Sequence, residues 1–181
     1  QDQSGNLWVS TEGGGLNYLN QGNKTFKSFK NIPENQNSLS SNLIKKILLD
    51  KTQKLWAATH GGGLNVFDLE KKAFKHYNFG SKTIEQVDEI RAIIEDVDSR
   101  LWVATHLNGI SVSNSEKTKF NYLKGLSQQL EGRNVISLIQ SKKQQIYFGT
   151  SNGLYIYNPK RAEFYTLKNQ KTNQPITLYV N

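Results

Sequence analysis

Four similar pentapeptides are each followed by a polar residue. It is a carboxylate or an imidazole in the first three copies and a hydroxyl in the fourth, at Glu12, His60, His106 and Ser151. Imidazole and carboxylate groups hydrogen-bond polar ligands, and three or four of them together can bind a metal ion. We expect hydrogen bonding to a polar ligand at this position, while a metal site and a solvated rim without a ligand are the alternatives.

The pentapeptides themselves define a sequence repeat. They read LWVST at 7–11, LWAAT at 55–59, LWVAT at 101–105 and IYFGT at 146–150. Their aromatic residues stand at positions 8, 56, 102 and 147, which are 48, 46 and 45 residues apart. A unit of this size buries its apolar face only against a neighbouring unit, as in propellers and solenoids. We therefore interpret the aromatic position as a packing anchor rather than a platform for sugars.

Each repeat predicts four short antiparallel strands. A polar turn residue stands six positions before the aromatic residue, and a second turn, rich in glycine, follows the pentapeptide. The apolar runs 43–49, 90–94 and 135–139 are predicted to be strands buried near the axis, with a helix over 43–49 as the alternative. Fourth strands alternate aromatic and polar residues, and their aromatic positions include Phe26, Phe74, Phe120 and Phe164.

These patterns predict an all-β chain, a β-propeller segment of four-stranded blades with about four repeats. We predict an incomplete blade at 7–29 and complete blades at 43–78, 89–123 and 134–167, all within one segment spanning 1–181. Residues 175–180 are predicted to start a further strand or to complete the first blade. Because the chain starts inside a blade and has no methionine, we expect it to belong to a larger propeller, with self-closure and a homodimer as alternatives.

The composition is that of an ordinary folded domain with a basic charge. Hydrophobic residues make up 36% of the 181, the formal net charge is +8, and there is no cysteine. The charge favours an acidic partner, but the lysines are scattered over predicted turns and outer strands, so solvated rims explain them better and no nucleic acid is expected. No apolar run has the length of a membrane span, so we expect a membrane only through the parent protein.

The second repeat resembles the two-component regulator propeller repeat. It contains PENQNSLSSNLI at 33–44, then Asp50, LWAATHGGGLN at 55–65 and Phe74. The first repeat matches from Asp2 onward, whereas the third and fourth depart from the pattern at Leu107-Asn108, Ser141 and Tyr147. The resemblance spans the whole chain and implies a part of a seven-bladed propeller.

The resemblance also implies a function. Proteins with these repeats are mainly periplasmic sensor regions of bacterial hybrid two-component systems, notably in gut Bacteroidetes, with an immunoglobulin-like domain, a membrane span and a histidine kinase further along. Such sensors respond to glycan breakdown products and induce genes for polysaccharide use. We therefore expect a periplasmic, non-enzymatic module that senses oligosaccharides. A polysaccharide lyase or hydrolase and a protein-interaction scaffold are the alternatives.

The candidate ligand site combines the residues after the pentapeptides with the loops that join consecutive blades, at 30–41, 79–88 and 124–133. Two arginines at or near the starts of first strands could bind a uronate or sulfate, unless Glu89, Glu131 or backbone carbonyls occupy them. An acidic oligosaccharide is thus a specific hypothesis. No catalytic residue, metal ligand or cofactor is predicted. The predicted site residues are Glu12, His60, Arg91, His106, Asn108, Arg133 and Asn152.

Overall fold

The computed structural model describes residues 1–69, 71–79, 89–106, 109–130 and 134–167. Within these ranges the chain forms antiparallel strands and one short helix. Two units divide the chain, the first being Gln1–Ile90 and the second beginning at Arg91. The predicted strand at 175–180 lies outside the described residues.

Two antiparallel sheets make up the first unit. The three-stranded sheet has the order β1, β2, β3, and the four-stranded sheet has the order β4, β5, β6, β7. Consecutive strands pair throughout, so each sheet is a simple meander. The strands are β1 (Leu7–Thr11), β2 (Gly15–Leu19), β3 (Phe26–Phe29), β4 (Ile44–Leu49), β5 (Leu55–Thr59), β6 (Leu64–Asp68) and β7 (Ala73–Tyr77).

The second unit repeats this plan with two four-stranded sheets, ordered β11-β10-β9-β8 and β12-β13-β14-β15. Helix α1 (Lys124–Gln129) stands between them in the chain, and β8 starts at the last residue of the first unit. The strands are β8 (Ile90–Glu95), β9 (Leu101–Thr105), β10 (Ile110–Ser113), β11 (Phe120–Tyr122), β12 (Val135–Gln140), β13 (Ile146–Thr150), β14 (Gly153–Asn158) and β15 (Glu163–Thr166).

The prediction of an all-β chain of antiparallel blades is confirmed. The first sheet has three strands and the others have four, as the repeat pattern indicated. The alternative of a helix over 43–49 is wrong, because Ile44–Leu49 is strand β4. The predicted loop over 124–133 is wrong in its first part, which forms α1. Leu126 and Leu130 explain the helix, since they are four residues apart and both are buried in the core.

The apolar runs before the pentapeptides are not the most buried strands, which corrects the prediction. All five residues of β5 and of β9 are buried, whereas β4 and β12 are only partly buried and Ile139 is 65% exposed. The order of strands gives the reason. β4, β8 and β12 are edge strands that pair on one side, while the pentapeptide strands β5, β9 and β13 pair on both sides.

Aromatic rings join the two sheets of the first unit. The Trp8 ring lies 5.6 Å from that of Phe67, and the Phe29 ring lies 4.7 Å from Phe67 and 5.9 Å from Phe74. In the second unit, the Trp102 ring lies 6.5 Å from that of Phe148 on the neighbouring sheet. These tryptophans are buried, so the packing role predicted for the aromatic position fits the structure.

A buried aspartate organises the turn before the pentapeptide in the second and third blades. One carboxylate oxygen of Asp50 accepts a hydrogen bond from the backbone N of Thr52 at 2.8 Å, and the other accepts one from Trp56 Nε1 at 2.9 Å. Asp96 likewise accepts from Trp102 Nε1 at 2.9 Å. Each aspartate therefore fixes both the turn and the ring that packs the blade.

A buried ion pair distinguishes the third blade. Lys117 Nζ lies 2.7 Å from Glu95 Oε1, and the two side chains are 4% and 7% exposed. Lys117 stands in the turn between β10 and β11 with a positive φ of 56°, as Lys72 does in the second blade with a φ of 53°. The pair connects this turn to the end of β8 across the sheet.

The last glycine of each of three turns combines a left-handed backbone conformation with close packing. Gly15, Gly63 and Gly109 have positive φ angles of 75°, 68° and 71°. A Cβ at Gly63 would lie 2.4 Å from the carbonyl oxygen of Tyr77, and Gly15 meets Phe29 in the same way. The third repeat keeps this last glycine as Gly109, while Leu107 and Asn108 replace the two preceding glycines.

Replacing Gly63 by alanine should lower the free energy of unfolding by about 2–4 kcal/mol, because the new Cβ would be strained and would displace the fourth strand. Urea unfolding of the full chain measures this. Gly125→Ala is the matched control, since a Cβ there meets no atom within 4 Å and lies in a helix, where alanine is favourable. Equal effects of the two substitutions would contradict the packing role of Gly63.

Candidate functional site

The pentapeptide strands of the first unit end in threonines that shape the following turn. Thr59 Oγ1 donates to the carbonyl oxygen of Gly63 at 2.7 Å, and Thr11 Oγ1 donates to that of Gly15 at 3.5 Å. The next residue, Glu12 or His60, therefore starts a turn whose backbone is fixed. Both side chains stay accessible, with exposed fractions of 70% for Glu12 and 39% for His60.

Leu43 brings the two turns together. Glu12 forms an isolated antiparallel bridge with Leu43, and the backbone N of His60 donates to the carbonyl oxygen of Leu43 at 2.8 Å. Leu43 immediately precedes β4, the edge strand of the second blade. Glu12 of one blade and His60 of the next thus flank the same residue.

Two further charged residues complete this group. Lys45 Nζ lies 2.7 Å from Glu12 Oε1, and Glu89 Oε1 lies 3.3 Å from His60 Nδ1. Lys45 stands at a β-bulge, where the pairing of β4 with β5 shifts between Ile44 and Lys46. We call Glu12, Lys45, His60 and Glu89 the Glu12 cluster. It presents carboxylate acceptors beside ammonium and imidazole donors within the first unit.

The pKa of Glu12 lies below the ordinary value for glutamate. The hydrogen bond from Lys45 is the largest cause, followed by the positive charge of Lys45, while partial desolvation opposes the shift and His60 adds slightly to it. A carboxyl group with a lowered pKa stabilises the fold above the pKa of the unfolded chain. That contribution is lost as the pH falls through the pKa of the folded state.

We expect the Glu12 carboxyl to titrate below the range of ordinary glutamates, since Lys45 stabilises its charged form. Carbon-detected NMR of the side-chain carboxyl group across an acid titration measures this pKa. Lys45→Ala should raise it towards the ordinary value, whereas Lys54→Ala, at the other end of β5, should leave it unchanged. A Glu12 pKa that is the same in the Lys45 variant would contradict the assigned contact.

The second unit holds a separate pair of predicted residues. Arg91 Nη2 lies 3.0 Å from His106 Nδ1. Arginine is only a donor, so His106 Nδ1 accepts this bond and the ring hydrogen stands on Nε2. Arg91 is the second residue of β8, and His106 follows β9. Glu89, one of the carboxylates weighed against a ligand role for Arg91, contacts His60 in the first unit.

The remaining predicted residues do not join either group in the described part of the chain. Ser151 Oγ donates to Asn152 Oδ1 at 3.0 Å, and the backbone N of Asn152 donates to Thr150 Oγ1 at 3.2 Å. Asn152 therefore forms contacts inside its own turn. Asn108 and Arg133 lie outside the described residues.

Lys45 is the site residue that the sequence analysis missed. The signal was present, because Lys45, Arg91 and Ile136 are each the second residue of a first strand. Two of these three positions carry a cation beside the residue that follows a pentapeptide. Comparing the repeats position by position at the first strand would have marked Lys45 as a candidate, although not its contact with Glu12.

The described residues include no group of three or more His, Cys, Asp or Glu side chains placed to hold a metal ion. No helix among them combines the length and the apolar character that crossing a bilayer requires.

No protein-family model matches the sequence, and no curated protein matches it. Solved structures do share its fold. The extracellular domain of BT3049 from B. thetaiotaomicron, described as a hybrid two-component system, aligns with a TM-score of 0.68 at 23% identity, over 87% of this chain and 21% of that one. The extracellular domain of BT4673 from the same organism, described as a one-component system, aligns with a TM-score of 0.78 at 18% identity, over 97% and 22%.

A third structure with this fold belongs to another kind of surface protein. PorZ of Porphyromonas gingivalis, a component of the type-IX secretion system, aligns with a TM-score of 0.65 at 15% identity, over 96% of this chain and 27% of PorZ. The chain thus spans 21–27% of the length of these structures. By its fold, the chain is similar to extracellular domains of bacterial two-component systems, the class of protein that the repeat resemblance indicated.

Proposed function

We propose that this chain is part of the periplasmic sensor region of a hybrid two-component regulator and that its Glu12 cluster binds an oligosaccharide. The likeness in fold to extracellular sensor domains and the repeat resemblance both support the sensor role. The kinase that produces the output and the control of polysaccharide-use genes belong to the same proposal. They would reside in parts of the protein beyond these residues.

The Glu12 cluster is the observation that carries the ligand part of the proposal. Sugars present neighbouring hydroxyl groups that each donate and accept hydrogen bonds. The cluster offers acceptors on Glu12 and donors on Lys45 and His60, held in place by the ion pairs and by Leu43. Side chains fixed in this way lose little conformational entropy when a ligand binds.

The charged contacts within the Glu12 cluster are relevant to whether its oligosaccharide ligand is neutral or acidic. Within the cluster, Lys45 already contacts Glu12 and His60 already contacts Glu89. An acidic sugar would have to compete with these carboxylates for Lys45 and His60. In the second unit, Arg91 already contacts His106. We therefore propose an oligosaccharide in general and let the salt dependence of binding identify its charge.

Calorimetric titration of the full-length gene product tests this function. The panel comprises neutral cello-, xylo- and malto-oligosaccharides and acidic oligogalacturonides, each at low and high salt. We expect binding by at least one member, weakened about tenfold or more in Lys45→Ala and in His60→Ala. Binding of an acidic member should also weaken at high salt. Lys54→Ala is the control with the same loss of charge.

Two outcomes would overturn the proposal. Binding that is equally tight in wild type, Lys45→Ala and His60→Ala would remove the Glu12 cluster from the site. Chromatography of the titrated samples covers the enzyme alternative, because cleavage of any oligosaccharide by the protein would show a lyase or hydrolase instead of a sensor.

A further inference from the structure

The second unit contains a groove that the Glu12 cluster does not involve. Its volume is about 390 Å³, within the range of small-ligand sites. It lies between α1 and the edge strands of the two sheets, β11 and β15. Its lining includes Tyr122, Lys124, Leu126, Tyr157 and Phe164. Three of these residues are aromatic, and together they come from four different elements.

The wall formed by α1 is held rigidly. Ser127 Oγ accepts a hydrogen bond from the backbone N of Ile110 at 3.0 Å, and the backbone N of Leu123 donates to the carbonyl oxygen of Ile110 at 2.9 Å. Leu126 and Leu130 are buried in the core of the unit. The helix is thus bonded to β10 at one end and packed on the core along its inner face.

The opposite wall is equally fixed. The ring of Phe164 stacks on that of Tyr155 at 5.5 Å with an interplanar angle of 6°. The ring of Tyr157 lies 5.8 Å from that of Trp102, which is buried. A ligand would therefore meet two aromatic side chains already held in position, which lowers the entropic cost of binding.

Tyr122 is the exposed aromatic residue of the groove lining. Its side chain is 54% exposed although it is a large aromatic residue. Its ring packs close to Gly109, where an added Cβ would lie 3.2 Å from Tyr122 Cε2. The backbone of Gly109 therefore supports one side of the ring while much of its surface stays open to solvent.

We propose that this groove is a carbohydrate-binding subsite that stacks one sugar ring on Tyr122. A pyranose has one face of C–H groups and a rim of hydroxyls, and the groove is lined by aromatic rings, by the tyrosines Tyr122 and Tyr157 with their phenol groups, and by Lys124. A wholly apolar ligand would bury these polar groups without partners, which is unfavourable. The subsite uses none of the residues of the Glu12 cluster.

NMR of the isotope-labelled full chain, with signals of the aromatic rings assigned, tests the subsite. The probes are cellotriose, xylotriose, maltotriose and trigalacturonic acid. At least one should shift the ring signals of Tyr122 and Phe164. Tyr122→Ala should weaken that binding about tenfold, and Tyr122→Phe should keep most of it, because stacking needs the ring rather than the hydroxyl. Lys124→Ala should weaken only trigalacturonic acid.

Tyr165→Ala is the matched control, because Tyr165 is an exposed tyrosine of β15 outside the groove lining. Thermal unfolding of each variant confirms that it is folded before it is titrated. The proposal is overturned if no probe shifts these ring signals, if Tyr122→Ala binds as tightly as wild type, or if a proline-rich peptide occupies the groove and the sugars do not. Lys45→Ala and His60→Ala should leave sugar binding in the groove unchanged. The proposals for the groove and for the Glu12 cluster can therefore fail independently of each other.

Discussion

Replacing Asp96 by alanine should lower the free energy of unfolding by about 3–5 kcal/mol, among the largest effects of any single substitution in this chain. Asp96 is fully buried. Its carboxylate accepts hydrogen bonds from Trp102 Nε1 at 2.9 Å, and from the backbone N and Nε of Arg100 at 2.8 Å each. Alanine would leave the buried indole N–H of Trp102 and the backbone N–H of Arg100 without their acceptor, and each such loss is costly.

Chemical unfolding of the full chain, followed by tryptophan fluorescence, measures the Asp96 effect. Asp98→Ala is the control, because Asp98 also contacts Arg100 at 2.8 Å but is 62% exposed. Exposed ion pairs contribute only about 0–1 kcal/mol, so this control should remain close to wild type. An Asp96→Ala protein that is destabilised by no more than Asp98→Ala would show that the buried carboxylate does not organise the blade.

Substituting Lys117 alone by methionine should destabilise the chain by about 3–5 kcal/mol, because it leaves the Glu95 carboxylate buried without its ammonium partner. The two groups lie 2.7 Å apart and both side chains are almost completely buried. Replacing both residues, as Glu95→Leu with Lys117→Met, should restore most of the lost stability, since a well-packed apolar pair avoids the desolvation cost of two charges.

The second blade supplies the control for the ion pair. Lys72 occupies the matching turn with nearly the same φ, but it is exposed, and Leu49 stands at the end of β4 where Glu95 ends β8. Lys72→Met should therefore change the unfolding free energy by less than about 0.5 kcal/mol. A double variant as unstable as Lys117→Met alone, measured in the same urea series, would contradict the assigned role of the pair.

The strands were predictable because the same sequence pattern occurs four times in the chain. Pentapeptides such as LWAAT at 55–59 alternate with turns, and the repeat fixes both the spacing and the order of the strands. Four copies of one pattern outweigh the ambiguity of a single apolar run such as Ile44–Leu49.

The structure explains two substitutions in the fourth repeat. Ser141 replaces the turn aspartate and Tyr147 replaces tryptophan. In the second and third blades, those two positions are joined by a hydrogen bond from the indole to the carboxylate. Tyr147 has no indole N–H, so an aspartate at position 141 would lack this hydrogen-bond donor. Ser141 still accepts a hydrogen bond from the backbone N of Gln145 at 3.2 Å.

The burial of a strand and the contact partners of a side chain depend on neighbouring elements, which a local sequence pattern does not identify. Residues 135–139 were predicted to be a buried strand because the run is apolar, yet the place of β12 at the edge of its sheet leaves Ile139 exposed. The site residues Glu12 and His60 could be aligned from the repeat. Their contacts with Lys45 and Glu89 could not, because those pairs join residues 33 and 29 positions apart across separate elements.

Phosphoryl transfer in the full-length gene product tests most directly the proposed conversion of sugar binding at the Glu12 cluster into a signal. The measurement follows phosphate incorporated from ATP in membrane vesicles that carry the protein, before and after the oligosaccharide that binds in calorimetry is added on the periplasmic side. We predict that the sugar changes the rate in wild type and in Lys54→Ala, and that His60→Ala requires about tenfold more sugar for the same change. A protein that binds the sugar while its phosphorylation stays the same, or responds equally in His60→Ala, would contradict the account.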